Sequence, residues 1–423
     1  MKRRSMLRSR AVVGSASPPG GAPASEPEAR ASAPPRRRSR RRAAPLAAAM
    51  LGALLALVAG CGGGGPAGGR GEVGGAVGLQ DDRLPVVPAS EIPDRVALLA
   101  ATGVRISRVD LLWSDIAPTR PANPDDASSS GYDFARADAI LRAFARRRIT
   151  PIVCVYSSPA WAAGGLGAPG PGPVNPNAPD PAEFGRFMGA LAGRYDGRSR
   201  DAAGRRLPRV VYFELWNEPD LSAYMTPQHD SRGRPVALDR YAAMVRAAYP
   251  RIKRSQAGAV VIAGSGAPRS STSPGGIAAL EWLRGLRARR IPLDAYSQHI
   301  YPAAAPLVEA NAVPSWSSLP LILDEVALFG SGVPLFITEA GYTTAPTPVR
   351  RTSVTEEEQA TYLRQIYSLS EVRERRVAVV VWFNLQDNSL WPGGLLRIDG
   401  SKKPSHAAFL DVVRDIGLRT LPR

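Results

Sequence analysis

From residue 73 onward the chain alternates apolar runs with segments whose apolar positions recur at helical spacing. Eight runs have β character: GAVGLQ (75–80), VRISRVDLLW (104–113), ITPIVCVY (149–156), VVYFELWN (210–217), AVVIAGSG (259–266), LDAYSQHIY (293–301), PLFITEAGY (334–342) and VAVVVWFNL (377–385). Several are rich in Val and Ile without strict alternation, as expected of strands covered by helices. Between them lie amphipathic stretches. In 133–148, Phe134, Ala137, Ile140, Leu141 and Phe144 fall on one helical face. The segments 182–195, 239–255 and 276–290 repeat that pattern, Thr355 and Glu358 open another helix as a T-x-x-E capping box, and 404–415 supplies the last. Eight strands alternating with helical segments predict a single closed (β/α)8 barrel over 73–418 rather than a doubly wound sheet. GAVGLQ, short and glycine-rich, carries the faintest strand signal. Residues 119–132, 162–180 and 221–238 follow the second, third and fourth strands, so they are expected to cover the face where the strands end.

Charge alters this picture only at the N-terminus. The net charge is +17, of which +10 sits in residues 1–42. The remainder is mildly basic and has no basic stripe interleaved with aromatics, so no nucleic-acid partner is expected. Residues 1–42 read as a disordered basic n-region, or as sequence ahead of the true start. Residues 43–60 (AAPLAAAMLGALLALVAG) are uncharged and end at Cys61. A basic segment, an apolar segment and small residues at the junction make an export signal. The last four residues, VAGC, resemble the lipobox of bacterial lipoproteins, in which the cysteine bears the lipid. That resemblance implies a lipid on Cys61, a glycine-rich tether at 62–72 and an extracytoplasmic, membrane-anchored protein. A plain transmembrane anchor and simple secretion are the alternatives. Cys154, the other cysteine, lies in an apolar run and is expected to be a buried, inert thiol. Three histidines are too few and too scattered for a dedicated zinc site, and no metal or organic cofactor is expected.

Two glutamates carry the candidate chemistry. Glu218 closes VVYFELWNEPD (210–220) and Glu339 closes PLFITEAGY. A barrel places its chemistry at the C-terminal ends of its strands. Two carboxyl groups there are what glycoside cleavage requires, one to protonate the departing oxygen and one to attack or stabilise the oxocarbenium-like centre.

W-N-E-P-D (216–220) at the fourth strand and I-T-E-A-G-Y (337–342) at the seventh resemble the acid/base and nucleophile motifs of clan A retaining glycoside hydrolases, most closely families 5 and 39. The resemblance spans roughly residues 75–415. It implies that Glu218 is the general acid/base and Glu339 the nucleophile. By the same resemblance Arg105 supplies a positive charge to Glu339, Asn217 binds the sugar 2-hydroxyl, and His299 lies near the sugar. Tyr301 could donate a hydrogen bond to Glu339. Trp382 would be the aromatic floor and Trp161 a second platform. Trp113 and Trp216 are expected to pack in the core or rim, and Asp110 and Asp115 to flank the cleft. The first strand lacks a family signature and the loop at 162–180 is unusually long, so the sugar is left open.

The expected function is hydrolysis of β-glycosidic bonds in an oligo- or polysaccharide, with net retention, by a monomer. A non-catalytic carbohydrate-binding barrel is the alternative. An aldolase or phosphate-binding isomerase would need a strand-end lysine or a phosphate loop, and the strand segments contain no lysine.

Overall fold

The computed structural model describes residues 75–163, 178–374, 376–417 and 421–422. The basic tail, the expected export signal with Cys61, the expected tether at 62–72 and most of the 162–180 loop lie outside the described residues. Eight strands form one parallel sheet: β1 (Ala76–Gln80), β2 (Ile106–Leu112), β3 (Thr150–Tyr156), β4 (Tyr212–Leu215), β5 (Val260–Gly266), β6 (Ala295–Ile300), β7 (Leu335–Ala340) and β8 (Val377–Phe383). Each strand from β2 to β8 pairs with the next in sequence, and β8 pairs with β1. β1 lies beside β2, where Gln80 donates to Asp110 (3.1 Å) and accepts from Arg108 (3.0 Å), which completes a (β/α)8 barrel. The helices are α1 (Ile92–Ala101), α2 (Trp113–Ile116), α3 (Ala135–Arg146), α4 (Pro181–Arg194), α5 (Val236–Ser255), α6 (Ala279–Ala288), α7 (Leu319–Ala327), α8 (Glu356–Ser368), α9 (Ser370–Arg373) and α10 (Pro404–Ile416). Among the described residues no helix is long and apolar enough to cross a membrane.

All eight sequence-derived strands are present, trimmed by up to two residues at an end. The capping box at Thr355 and Glu358 forms as expected, satisfying two orphan amides at the start of α8. Asp180 caps α4 by accepting from the amides of Ala182 and Glu183.

Side chains divide by strand parity into two apolar layers and a polar one. Val109, Val153, Phe213, Val261, Ile337 and Val380 belong to the large cluster between sheet and helices. Ile106, Ile152, Tyr212, Ile262, Phe336 and Val379 form a second cluster inside the barrel. Further along the inward-facing positions the residues turn polar: Gln80, Arg108, Glu214, Ser265, Ser297 and Thr338. The barrel is thus oil-filled at the N-terminal end of its strands and polar toward the C-terminal end, where the site is built.

α4 packs tightly on α5. A Cβ added at Gly185 would stand 2.7 Å from the Cβ and carbonyl carbon of Ala247. Alanine is favoured over glycine within a helix by about 1 kcal/mol, whereas overpacking of this kind costs about 1–3 kcal/mol. The backbone contact cannot yield as a side chain would, so the steric term wins. Gly185→Ala should lower the unfolding free energy by about 1 kcal/mol in urea titration, and a more stable variant would contradict this packing.

Candidate active site

The inward-facing residues of β2 are Ile106, Arg108 and Asp110, because successive side chains on a strand point to opposite faces. Arg108 is fully buried, and its guanidinium spends all five N–H groups. Nε donates to Glu214 at 2.6 Å. Nη1 donates to Gln80 at 3.0 Å and to Glu339 at 2.6 Å. Nη2 donates to Asn217 at 2.6 Å and to the Cys154 sulfur at 3.0 Å. Strands β1, β3, β4 and β7 are therefore tied to β2 through one cation. Glu214 also accepts from Thr338 (2.7 Å) and Ser265 (3.1 Å). Burial opposes ionisation of Glu214, but Arg108, His299 and these hydrogen bonds outweigh it and hold the carboxyl below its usual range.

Glu339 reaches the lumen through a bulge. The pairing of β7 shifts by one residue against both neighbours, with His299 opposite Glu339 although Gln298 lies opposite Ile337. The extra residue lets Thr338 and Glu339, adjacent in sequence, both point inward. One oxygen of Glu339 accepts from Arg108, and the other accepts from the Tyr301 hydroxyl at 2.7 Å.

Glu218 arrives by a different device. β4 stops at Leu215, and Trp216 and Glu218 adopt left-handed backbone angles (φ +72° and +40°). Such conformations are costly for side chains with a Cβ and cluster at functional sites. They leave the Trp216 ring in the core while Asn217 and Glu218 meet the site. His299 Nδ1 lies 2.9 Å from Glu218 and 3.5 Å from Glu339. Burial disfavours the imidazolium, yet the charges of Glu339 and Glu218 and the hydrogen bond to Glu218 together raise the His299 pKa. Ligand atoms of Glu218, His299 and Glu339 lie within 4.8 Å of one another. This trio suits a metal ion poorly, because both Glu339 oxygens already accept hydrogen bonds and a guanidinium stands beside them.

The structure joins Glu218, Glu339, Asn217, His299 and Tyr301 in one cluster and corrects two other expectations. Arg105 is exposed, and its guanidinium returns to the carbonyls of Gly103 and Val104. It precedes β2 at an outward parity and cannot reach Glu339; Arg108, three residues on, supplies the charge. Trp382 is fully buried among the residues between sheet and helices, with its indole N–H on the Gly393 carbonyl at 3.2 Å. It is core, not floor. The next residue, Phe383, faces the site, packed edge-on with Tyr301 and Trp391. Trp161 is half-buried, edge-on to Trp113 at 5.7 Å, and its N–H is spent on the Ala117 carbonyl. No contact among the described residues joins it to the two glutamates. Trp113 and Trp216 are core, and Cys154 is buried, its thiol pKa pushed up by burial.

Sequence reasoning also missed Glu214, Tyr156, Tyr224 and Trp391. Tyr224 is pressed so close that burial and the charges of Glu218, Glu339 and Asp110 all push its phenol upward. It packs edge-on against Tyr156, which meets Asp110 at 3.5 Å. Burial raises Asp110 to about 6, with Arg108 opposing and Glu339 and Glu214 adding to the shift. Asp110 and Asp115 both line a cavity of about 210 Å³ between β2 and α3.

No family model matches the chain, and no curated protein matches it. Solved structures share its fold. A family 39 glycoside hydrolase from the gut symbiont Bacteroides cellulosilyticus WH2 superposes with a TM-score of 0.57 at 20% identity, covering 79% of this chain and 62% of the other. A glucosidase from Croceicoccus marinus gives 0.57 at 18% identity, covering 84% and 69%. A family 39 β-xylosidase from Caulobacter crescentus gives 0.53 at 17%, covering 81% and 72%. The chain thus spans less than two thirds of the length of the Bacteroides enzyme. At these identities the likeness is one of fold.

Two outcomes follow from the buried charges. Arg108→Met leaves Glu214 buried without its counter-ion, so unfolding free energy should fall by about 3–5 kcal/mol in urea titration. Asp220 is fully buried against the Ala267 amide, and burial, with a further push from Glu218, raises it to about 8. The folded state therefore holds a proton that the unfolded chain releases near 3.8. Stability from this group is present below that value and is lost as pH climbs toward about 8. Asp220→Asn should flatten this limb when melts at mildly acidic and mildly alkaline pH are compared.

Proposed function

We propose that the protein is a retaining glycoside hydrolase that cleaves β-glycosidic bonds in an oligo- or polysaccharide. The observation that carries this reading is the approach of Glu218 and Glu339, whose carboxylate oxygens come within 4.8 Å. Retaining enzymes hold their two carboxyl groups about 5–5.5 Å apart, whereas inverting ones need about 6.5–9.5 Å to admit a water molecule.

The surroundings of the two groups support distinct roles. Glu339 accepts from a guanidinium and a phenol, which stabilise a carboxylate anion, so it serves as nucleophile. Among the described residues His299 is the side-chain hydrogen-bond partner of Glu218 and no guanidinium bonds to it, which suits a group that must carry and return a proton. Glu339 attacks the anomeric carbon as Glu218 protonates the departing oxygen and the C–O bond breaks. Glu218 then takes a proton from water, whose oxygen displaces Glu339 from the anomeric carbon. Asn217 has its carbonyl oxygen held by Arg108, so its amide nitrogen is the group left to offer a sugar hydroxyl. Phe383 and Trp391 furnish the aromatic wall expected of Trp382. A carbohydrate-binding barrel without turnover gains nothing from so close a pair of carboxyl groups.

VAGC at 58–61 supports a lipid on Cys61 and an extracytoplasmic location at a membrane. The test of function is product formation from β-glucan, xylan, mannan and aryl β-glycosides, with the product anomer followed by NMR. Turnover on one substrate, first appearing as the retained anomer, is expected. Glu218→Gln should lower it about 10²–10⁴-fold, and Glu339→Gln should abolish it. Sugar binding without turnover by the unaltered chain would establish the binding barrel instead.

A further inference from the structure

The end of the barrel opposite the site is basic in a way the mechanism does not use. The turns leading into β2, β3 and β4 carry Arg105, Arg146, Arg147, Arg148, Arg206 and Arg209, all exposed. None of the six has an ion-pair partner among the described residues. Acids nearby are already engaged: Asp201 by Arg142 and Arg205, each at 2.8 Å, and Asp294 by Lys253 at 3.0 Å. Arg105, Arg148 and Arg209 line a cavity of about 580 Å³ whose apolar lining includes Ile106 and Leu421. At the other end, Asp110, Asp115 and Asp133 line the cavity beside the site. Arg136 is the single cation in that lining, against three arginines and no acid in the cavity at the opposite end.

A cluster of unpaired guanidinium groups repels itself, and an opposing anionic surface relieves that repulsion. The path of the chain indicates which surface. Gly75, where the segment from Cys61 reaches β1, donates its amide to the carbonyl of Val372 at 3.1 Å, and Val372 lies in α9, just before β8 begins. The chain thus enters β1 at the arginine-bearing end.

We propose that this end is a docking surface for the anionic phospholipid headgroups of a bilayer, which holds the barrel with its cleft directed away from the membrane. The arginine fork matches phosphate oxygens, and a cavity ringed by three such groups admits a headgroup. The proposal rests on the Cys61 reading only for what brings the barrel to the bilayer.

The test is hydrogen–deuterium exchange of the full chain on phosphatidylcholine vesicles, with and without phosphatidylglycerol. Segments 102–105, 146–150 and 198–209 should gain protection only when phosphatidylglycerol is present, while 119–132 and 345–353 stay unchanged. The protection should vanish in high salt. It should also weaken about fivefold for each arginine removed in an Arg146→Gln, Arg147→Gln, Arg148→Gln series. Equal exchange on both vesicle types, protection of the cleft loops, or protection by a DNA duplex but not by anionic vesicles would each overturn the proposal. Loss of flotation with neutral vesicles on Cys61→Ser reports on the anchor alone, so the two readings fail separately.

Discussion

The pairing of Arg108 with Glu214 is the constraint around which the upper half of the barrel is arranged. Both side chains are fully buried, and the ion pair measures 2.6 Å. Removing two charges from water is expensive unless every remaining donor and acceptor is satisfied. Here they are satisfied, and by groups from different strands. Gln80, Cys154, Asn217 and Glu339 occupy the guanidinium, while Thr338 and Ser265 occupy the carboxylate. The cost of burying the charges thus fixes the relative positions of β1, β2, β3, β4, β5 and β7, and the two glutamates inherit that precision.

Two backbone irregularities complete the arrangement. A regular strand can aim only every second residue at the lumen. β7 escapes this limit through its bulge at Thr338 and Glu339, and the β4 end escapes it through the left-handed Trp216. One inward residue in each case serves the buried network, Thr338 or Glu214, and a later one, Glu339 or Glu218, reaches the candidate site.

The strand pattern was legible because eight apolar runs and their intervening helices repeat one simple rule, and even the short GAVGLQ obeyed it. Glu218 and Glu339 were legible from their motifs. Arg105 was not the right arginine, and parity could have revealed this: Val109 and Leu111 mark the outward face of β2, which assigns Arg108 to the lumen. The same count along VAVVVWF is less decisive, because Ala378 and Val379 both join the inner cluster and the alternation resumes only at Val380. That is why Trp382 was mistaken for Phe383. Trp391 and Tyr224 sit in loops, where no period tells direction.

The saturated guanidinium also has an engineering consequence. Transplanting only the two glutamates onto another barrel would carry over their identities without their bearings, since neither strand end holds its glutamate by local geometry alone. The smallest portable unit is the whole constellation of Arg108, Glu214, Asn217, Glu218, Thr338 and Glu339 together with the β7 bulge and the left-handed turn after β4. Diversification, by contrast, is open at 119–132, where no side chain among the described residues bonds to this network. Selection or design can therefore exchange that rim while leaving the hub intact.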